Sequence, residues 1–122
     1  MIIDHLGIHV TDLQASKAFY LEALAPLGIS LVIEFKYAAG LGKGGKPELW
    51  LHKARGEASR LHFAFHAANR QEVDDFYQAA LAAGGQDNGP PGLREQYHPY
   101  YYGAFILDPD GNNIEAVCHL PE

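Results

Sequence analysis

The chain has 122 residues, 48% of them hydrophobic and 11% aromatic, which is enough for one domain with a real core and excludes a disordered chain. A formal charge of −6 with only nine Lys and Arg, scattered along the chain, excludes a polyanion-binding surface for nucleic acid or an anionic membrane and leaves a small molecule or another protein as the partner. The single cysteine, Cys118, excludes an internal disulfide, and with neither a bilayer-length apolar run nor the basic and apolar regions of a signal peptide at Met1 to His5, the expected location is the cytoplasm.

Taken in chain order, His5 to Val10 alternates: Leu6, Ile8 and Val10 share one face and the two histidines the other, which predicts a strand with one buried and one wet side. Thr11-Asp12-Leu13-Gln14 has the form of a capping box. It opens a helix whose apolar stripe is Leu13, Tyr20 and Leu24 and which stops at Gly28. Ile29 to Tyr37, rich in β-branched and aromatic residues, and Glu48 to Lys53 are predicted strands, with Gly40 to Pro47 expected as a loop between them. His62 to Ala67 then repeats the first strand's pattern. Asn69 and Glu72 form a weaker cap for a second helix striped by Val73, Phe76, Tyr77, Ala80 and Leu81, which ends at Gly84-Gly85. Gln86 to Gly92 is expected as a loop. Tyr100 to Leu107 is a further strand, and Asp108-Pro109-Asp110-Gly111 is a tight turn into the last one, Asn112 to His119.

These elements are duplicated. Residues 5–28 align with 62–85 without a gap at an offset of 57, with nine identities in 24 positions that include His5/His62, His9/His66 and Phe19-Tyr20/Phe76-Tyr77. The unit is taken as β-α-β-β-β, one strand per half more than the predicted runs supply, present twice in a single domain with modules of about 1–56 and 57–122. Halves of about 55 residues lie near the lower size for independent folding, so they are expected to bury their apolar faces together.

His5 and His62 occupy equivalent places, so a pseudo-twofold packing of the halves would bring their imidazoles together. Glu115 lies on the last strand, on one face with Val117 and His119. Two neutral imidazoles and one carboxylate form an open site for a divalent metal such as Zn, Ni, Fe, Mn or Co, with positions free for substrate oxygens. Spacing alone does not select that reading over ordinary surface histidines.

The stretch His5-Leu6-Gly7-Ile8-His9-Val10-Thr11-Asp12-Leu13, followed by Ser16 and Phe19-Tyr20, resembles the opening strand and helix of the vicinal oxygen chelate superfamily of glyoxalases, bleomycin resistance proteins and extradiol dioxygenases. Asp108-Pro109-Asp110-Gly111-Asn112-Asn113-Ile114-Glu115 resembles its closing motif, in the right order and over nearly the whole chain. The resemblance implies an α+β fold of two βαβββ modules whose eight strands form a cupped mixed sheet with the helices outside. It also implies a homodimer, and His5, His62 and Glu115 as the ligands of one divalent metal ion. Whether the three come from one chain or two is left open. In glyoxalase I enzymes the metal-bound glutamates assist proton transfer, which makes Glu115 the catalytic candidate in a lyase or isomerase acting on a small oxygenated substrate. A fourth ligand rests on register: one alignment of the two closing strands offers Glu48, and a shift by two puts Trp50 there instead.

Three relatives by resemblance compete. Extradiol dioxygenases carry a Tyr three residues before the Asp-Pro turn, where this chain has Phe105. Fosfomycin-type thiol transferases need a cationic pocket, and Arg94 is the only obvious cation near the second-half loop. Bleomycin-resistance proteins sequester a ligand without metal. The unusual run from Arg94 to Tyr102 offers Tyr97, His98 and a strand tyrosine, with Tyr102 taken as that tyrosine, as a lid contacting substrate, with core and edge packing as the plainer account, and Trp50 equally as a pocket wall or as core. His9 and His66 face the ligand side, and Cys118 is expected in the core.

Overall fold

The computed structural model describes residues 3–122. Its elements are β1 (Leu6–Val10), α1 (Leu13–Leu24) with a 3₁₀ turn at Ala25–Leu27, β2 (Ser30–Phe35), β3 (Ala38–Gly42), β4 (Leu49–Lys53), β5 (His62–His66), α2 (Arg70–Ala82), β6 (Gln86–Leu93), β7 (Tyr102–Leu107) and β8 (Asn113–Cys118). The unit β-α-β-β-β therefore occurs twice. The eight strands are divided between two four-stranded mixed sheets, in the orders β1-β4-β3-β2 and β5-β8-β7-β6. In each sheet the opening strand runs parallel to the closing one, and the other pairings are antiparallel. This is the expected α+β, two-module architecture.

Two segments expected as loops are strands. Within Gly40 to Pro47, the first three residues belong to β3, which pairs on both sides with β2 and β4 despite its sequence Ala-Ala-Gly-Leu-Gly. Gly40 is required there, because a Cβ would lie 2.9 Å from the Pro47 Cβ and 3.2 Å from the Trp50 ring. Gln86 to Gly92 lies within β6, whose two prolines and two glycines argue against a strand on propensity. The segment pairs all the same because it is an edge strand. Register shifts at Asp87/Gly89 and Gly89/Gly92 absorb the residues that cannot donate to β7.

Each helix covers one face of its own sheet, and the two helices pack on each other, which joins the halves through a shared core. Ile8 and Val10 of β1, Leu41 of β3, Leu51 of β4, Phe76 of α2 and Ile106 of β7 are fully buried in it. Cys118 lies there too, as expected. Asp12, not Thr11, caps α1 by accepting from the Ala15 N–H at 3.0 Å. Asn69 accepts from the Glu72 N–H while the Glu72 carboxylate accepts from the Ala68 N–H, so the cap that reads as the weaker one closes at both ends.

The closing motif is a structural knot. The Asp108 carboxylate, 5% exposed, accepts from the backbone N–H groups of Asp110 and Asn112, from the Asn112 side chain and from the Tyr20 hydroxyl of α1. The Asn112 side-chain oxygen accepts in turn from Leu61 at 2.7 Å. Burial first, and then the Asp108 charge, push the Tyr20 hydroxyl far above its ordinary value, so it stays protonated and donating. The turn thereby fixes α1, the start of β5 and the start of β8, the strand that carries Glu115.

Candidate functional site

The faces not covered by helices carry the candidate residues. On β1, Gly7 and His9 are exposed while Ile8 and Val10 are buried, and on β5, His62, Ala64 and His66 are exposed. This is the alternation the sequence predicts.

In the second sheet Glu115 pairs in register with Ala64 on one side and Phe105 on the other, which puts it on the open face with His62. Its carboxylate is nevertheless only 1% exposed. His62 Nε2 donates to Oε1 at 2.9 Å, and the Tyr101 hydroxyl donates to Oε2. Gly103 makes room for both partners, since a Cβ there would stand 3.2 Å from Glu115 Oε2 and 3.2 Å from the Tyr101 ring. Burial, followed by the bond to Glu115, raises the Tyr101 hydroxyl above its ordinary value and keeps it a donor. Around this pair, Tyr97, His98 and His119 close in edge-on and stacked contacts on Tyr101 and on one another, and Phe105 lies 6.1 Å from the His62 ring.

His5 does not join this cluster within the chain. It sits just before β1, with Nδ1 donating to Asp4 at 2.9 Å, and lines an open concavity of about 510 Å³ with Gly7, Trp50 and His52. Lys46 first, then His5, hold the Asp4 carboxyl below its usual range. Phe35, Trp50, His52 and His9 form a row of rings across this face, with neighbouring centroids 5.6–6.4 Å apart. Among the described residues no three His, Cys, Asp or Glu side chains stand close enough together to hold a metal ion.

The register question has a geometric answer. Gly7 pairs with Trp50 as its duplicate Ala64 pairs with Glu115, so Trp50 stands where Glu115 stands in the other module. Glu48 precedes β4, and its backbone donates to Leu41 and accepts from Leu6. The tyrosine at the carboxylate is Tyr101, just ahead of β7, whereas Tyr102 turns to the helix side and donates to Asp74 at 2.6 Å. Sequence reasoning missed Tyr101, although a signal was present. The pairing across the 108–111 turn puts Phe105 opposite Glu115, and alternation then carries Gly103 and Tyr101 to the same face.

His62 Nε2 and Glu115 Oε1, 2.9 Å apart, have the separation of two neighbouring donors on a six-coordinate cation, about 3 Å for bonds of about 2.1 Å. Imidazole nitrogen and carboxylate oxygen are also the donor chemistry such an ion takes. The two residues fit as one side of a metal site. Among the described residues no third His, Cys, Asp or Glu joins them in a metal-holding group.

Residues 2–116 match the profile of the Glyoxalase/Bleomycin resistance protein/Dioxygenase superfamily, and the chain belongs to that family. It is 27% identical over 131 aligned positions to the uncharacterized protein YqjT of Bacillus subtilis (strain 168), covering 93% of this chain and 96% of that one. The structure is similar to that of a glyoxalase/bleomycin resistance protein from Albidiferax ferrireducens T118, with a TM-score of 0.86, 28% identity, and coverage of 98% of this chain and 100% of that one. A lactoylglutathione lyase from Agrobacterium tumefaciens shares the fold, with a TM-score of 0.71 at 22% identity over 97% of this chain and 92% of that one. No helix among the described residues is long and apolar enough to cross a membrane.

Proposed function

We propose that the protein is a metal-dependent enzyme of the glyoxalase-like class, a lyase or isomerase acting on a small oxygenated molecule, in which His62 and Glu115 of one chain and His5 of a second copy hold one divalent ion. The observation that carries this reading is the buried Glu115 carboxylate, aimed at an open face and held by His62 and Tyr101. A carboxylate withdrawn from water with only two donors is costly to keep charged, and a cation beside it offsets that cost. His5 is exposed at the equivalent place in the other module, with Nδ1 bonded to Asp4. A homodimer that faces one chain's first sheet to the other's second would complete two such sites.

A bound divalent ion would supply a Lewis acid that polarises a substrate carbonyl. The chain's own groups then have defined roles. Glu115 accepts or returns a proton at Oε2, and Tyr101 fixes that oxygen's direction. Tyr97 and His98 pack on the Tyr101 ring and hold it beside Glu115, and Trp50 with Phe35 gives the opposite wall an apolar surface for the substrate body.

The row of aromatic rings beside His5 favours a second reading, a metal-free protein that sequesters a ligand, as bleomycin-resistance proteins do. Elemental analysis of protein made in metal-replete medium separates the two. The enzyme reading expects about one equivalent of a divalent metal per chain, lost in His62→Ala with the fold retained. Less than about a tenth of an equivalent, or full metal in His62→Ala, would sink it.

A further inference from the structure

Arg94 follows β6, and its backbone N–H donates to Tyr101 at 2.7 Å, which places it on the same open face as Tyr101, Phe105 and Glu115. Its side chain folds back along the strand into a slot made by two glycines. A Cβ at Gly92 would stand 3.1 Å from Nη1 and one at Gly89 would stand 3.2 Å from Nη2. The guanidinium lies over the Phe105 ring, 5.4 Å from its centroid, and Nη2 donates to the Pro90 carbonyl at 2.7 Å. His62 lies against the same ring. No carboxylate among the described residues forms an ion pair with Arg94. The other cations without ion pairs, Lys36, Lys43, Lys53, Arg55 and Arg60, are exposed, whereas Arg94 is half-buried. Its Nε and Nη1 groups lie by the Phe105 ring, beside the Glu115 cluster, without an acceptor among the described residues.

We infer that Arg94 is the specificity-determining residue of this open face and that its ligand is a small monocarboxylic acid, whose two oxygens take the guanidinium edge. The inference deepens the proposed function, resting on that reading for the location of the site, and narrows the substrate to a carboxylate. A planar fork with one charge matches a carboxylate's geometry and charge. A phosphoryl group, with nearly two charges, calls for more cations than this acidic chain offers on that face. A Cβ at Gly92 would make the guanidinium give by a few tenths of an ångström, while Gly89 is also held to glycine by its φ of +148°.

The test is a chemical-shift titration of the full-length ¹⁵N-labelled protein, metal-free and metal-loaded, with pyruvate and phenylglyoxylate as carboxylates and their amides as neutral matches. The carboxylates should shift the Arg94 side-chain N–H and the Gly89 and Gly92 amides, while the amides leave them in place. Affinity for the carboxylates should fall about 30-fold in Arg94→Gln, which keeps the packing on Phe105, and about tenfold in Arg94→Lys, which keeps the charge without the fork. Gly92→Ala, whose charge is untouched, should lose a few-fold through the displaced guanidinium. Unchanged affinity in Arg94→Gln, equal response to acid and amide, or no Arg94-dependent shift with either acid overturns the inference. Arg94-dependent binding in a protein that takes up no metal would leave this inference standing and overturn the metal-enzyme reading. Metal uptake without Arg94 dependence would do the reverse.

Discussion

Removing the Tyr101 hydroxyl should separate a carboxylate built for a cation from one merely packed away. Glu115 is 1% exposed, with one donor on each oxygen, so Tyr101→Phe leaves Oε2 without a partner while the ring contacts to Tyr97, His98 and His119 survive. A hydrogen bond to a charged group contributes about 1.5–3 kcal/mol, and because Tyr101 is half-exposed and water can replace part of the bond, the lower part of that range applies, about 1.5–2 kcal/mol. For a chain of this length that is a fall in Tm of roughly 5–9 °C. With a divalent ion bound, the charge on Glu115 is shared with the cation and the loss should shrink below about 1 kcal/mol. Urea unfolding of wild type and Tyr101→Phe, each stripped of metal and reloaded, measures all four stabilities. A metal-free loss under about 0.5 kcal/mol would refute the hydroxyl as a partner of Glu115, and an equal loss with and without metal would refute the cation.

Other consequences follow from single contacts. Gly42→Ala would place its Cβ 1.9 Å from the Lys46 carbonyl oxygen, so the β3–β4 connection must move, and unfolding should show a loss of about 3 kcal/mol or more. Burial first, then the bond to Asp74, push the Tyr102 hydroxyl up to about 12. Its neutral form therefore contributes stability that is complete below the unfolded value near 10 and is lost as pH rises toward 12, and Tyr102→Phe should flatten that alkaline limb in a stability-versus-pH series.

Much of the fold was legible because the duplication displays it twice. The alternation of His5 to Val10 and His62 to Ala67, the two striped helices and the Asp108 turn are local patterns, and local patterns survive into the structure. β3 and β6 were not legible. Ala-Ala-Gly-Leu-Gly and Gln-Asp-Asn-Gly-Pro-Pro-Gly-Leu carry no strand propensity, and they become strands because neighbours claim their backbones. The glycines that argued for a loop are there for space at Gly40 under Trp50 and Gly92 beside Arg94, and at Gly89 for a φ of +148° as well. Of the site, the nearness of His62 to Glu115 was legible through the resemblance of the opening and closing motifs, whereas the equivalent positions of His5 and His62 do not bring those two together within the chain. Tyr101 needed the register across the 108–111 turn, which a single run of three tyrosines does not announce. The separation of His5 from that pair depends on how the two modules pack, and strand patterns say nothing of it.

The arrangement of His5 opposite His62 and Glu115 of another copy is tested most directly by subunit complementation. His5→Ala and Glu115→Gln chains, carried on different affinity tags and co-expressed, yield heterodimers in which one site has lost both groups and the other is whole. The account predicts about one divalent ion per purified heterodimer and almost none in either homodimer. A heterodimer without metal, or a His5→Ala homodimer that keeps its full complement, would contradict it.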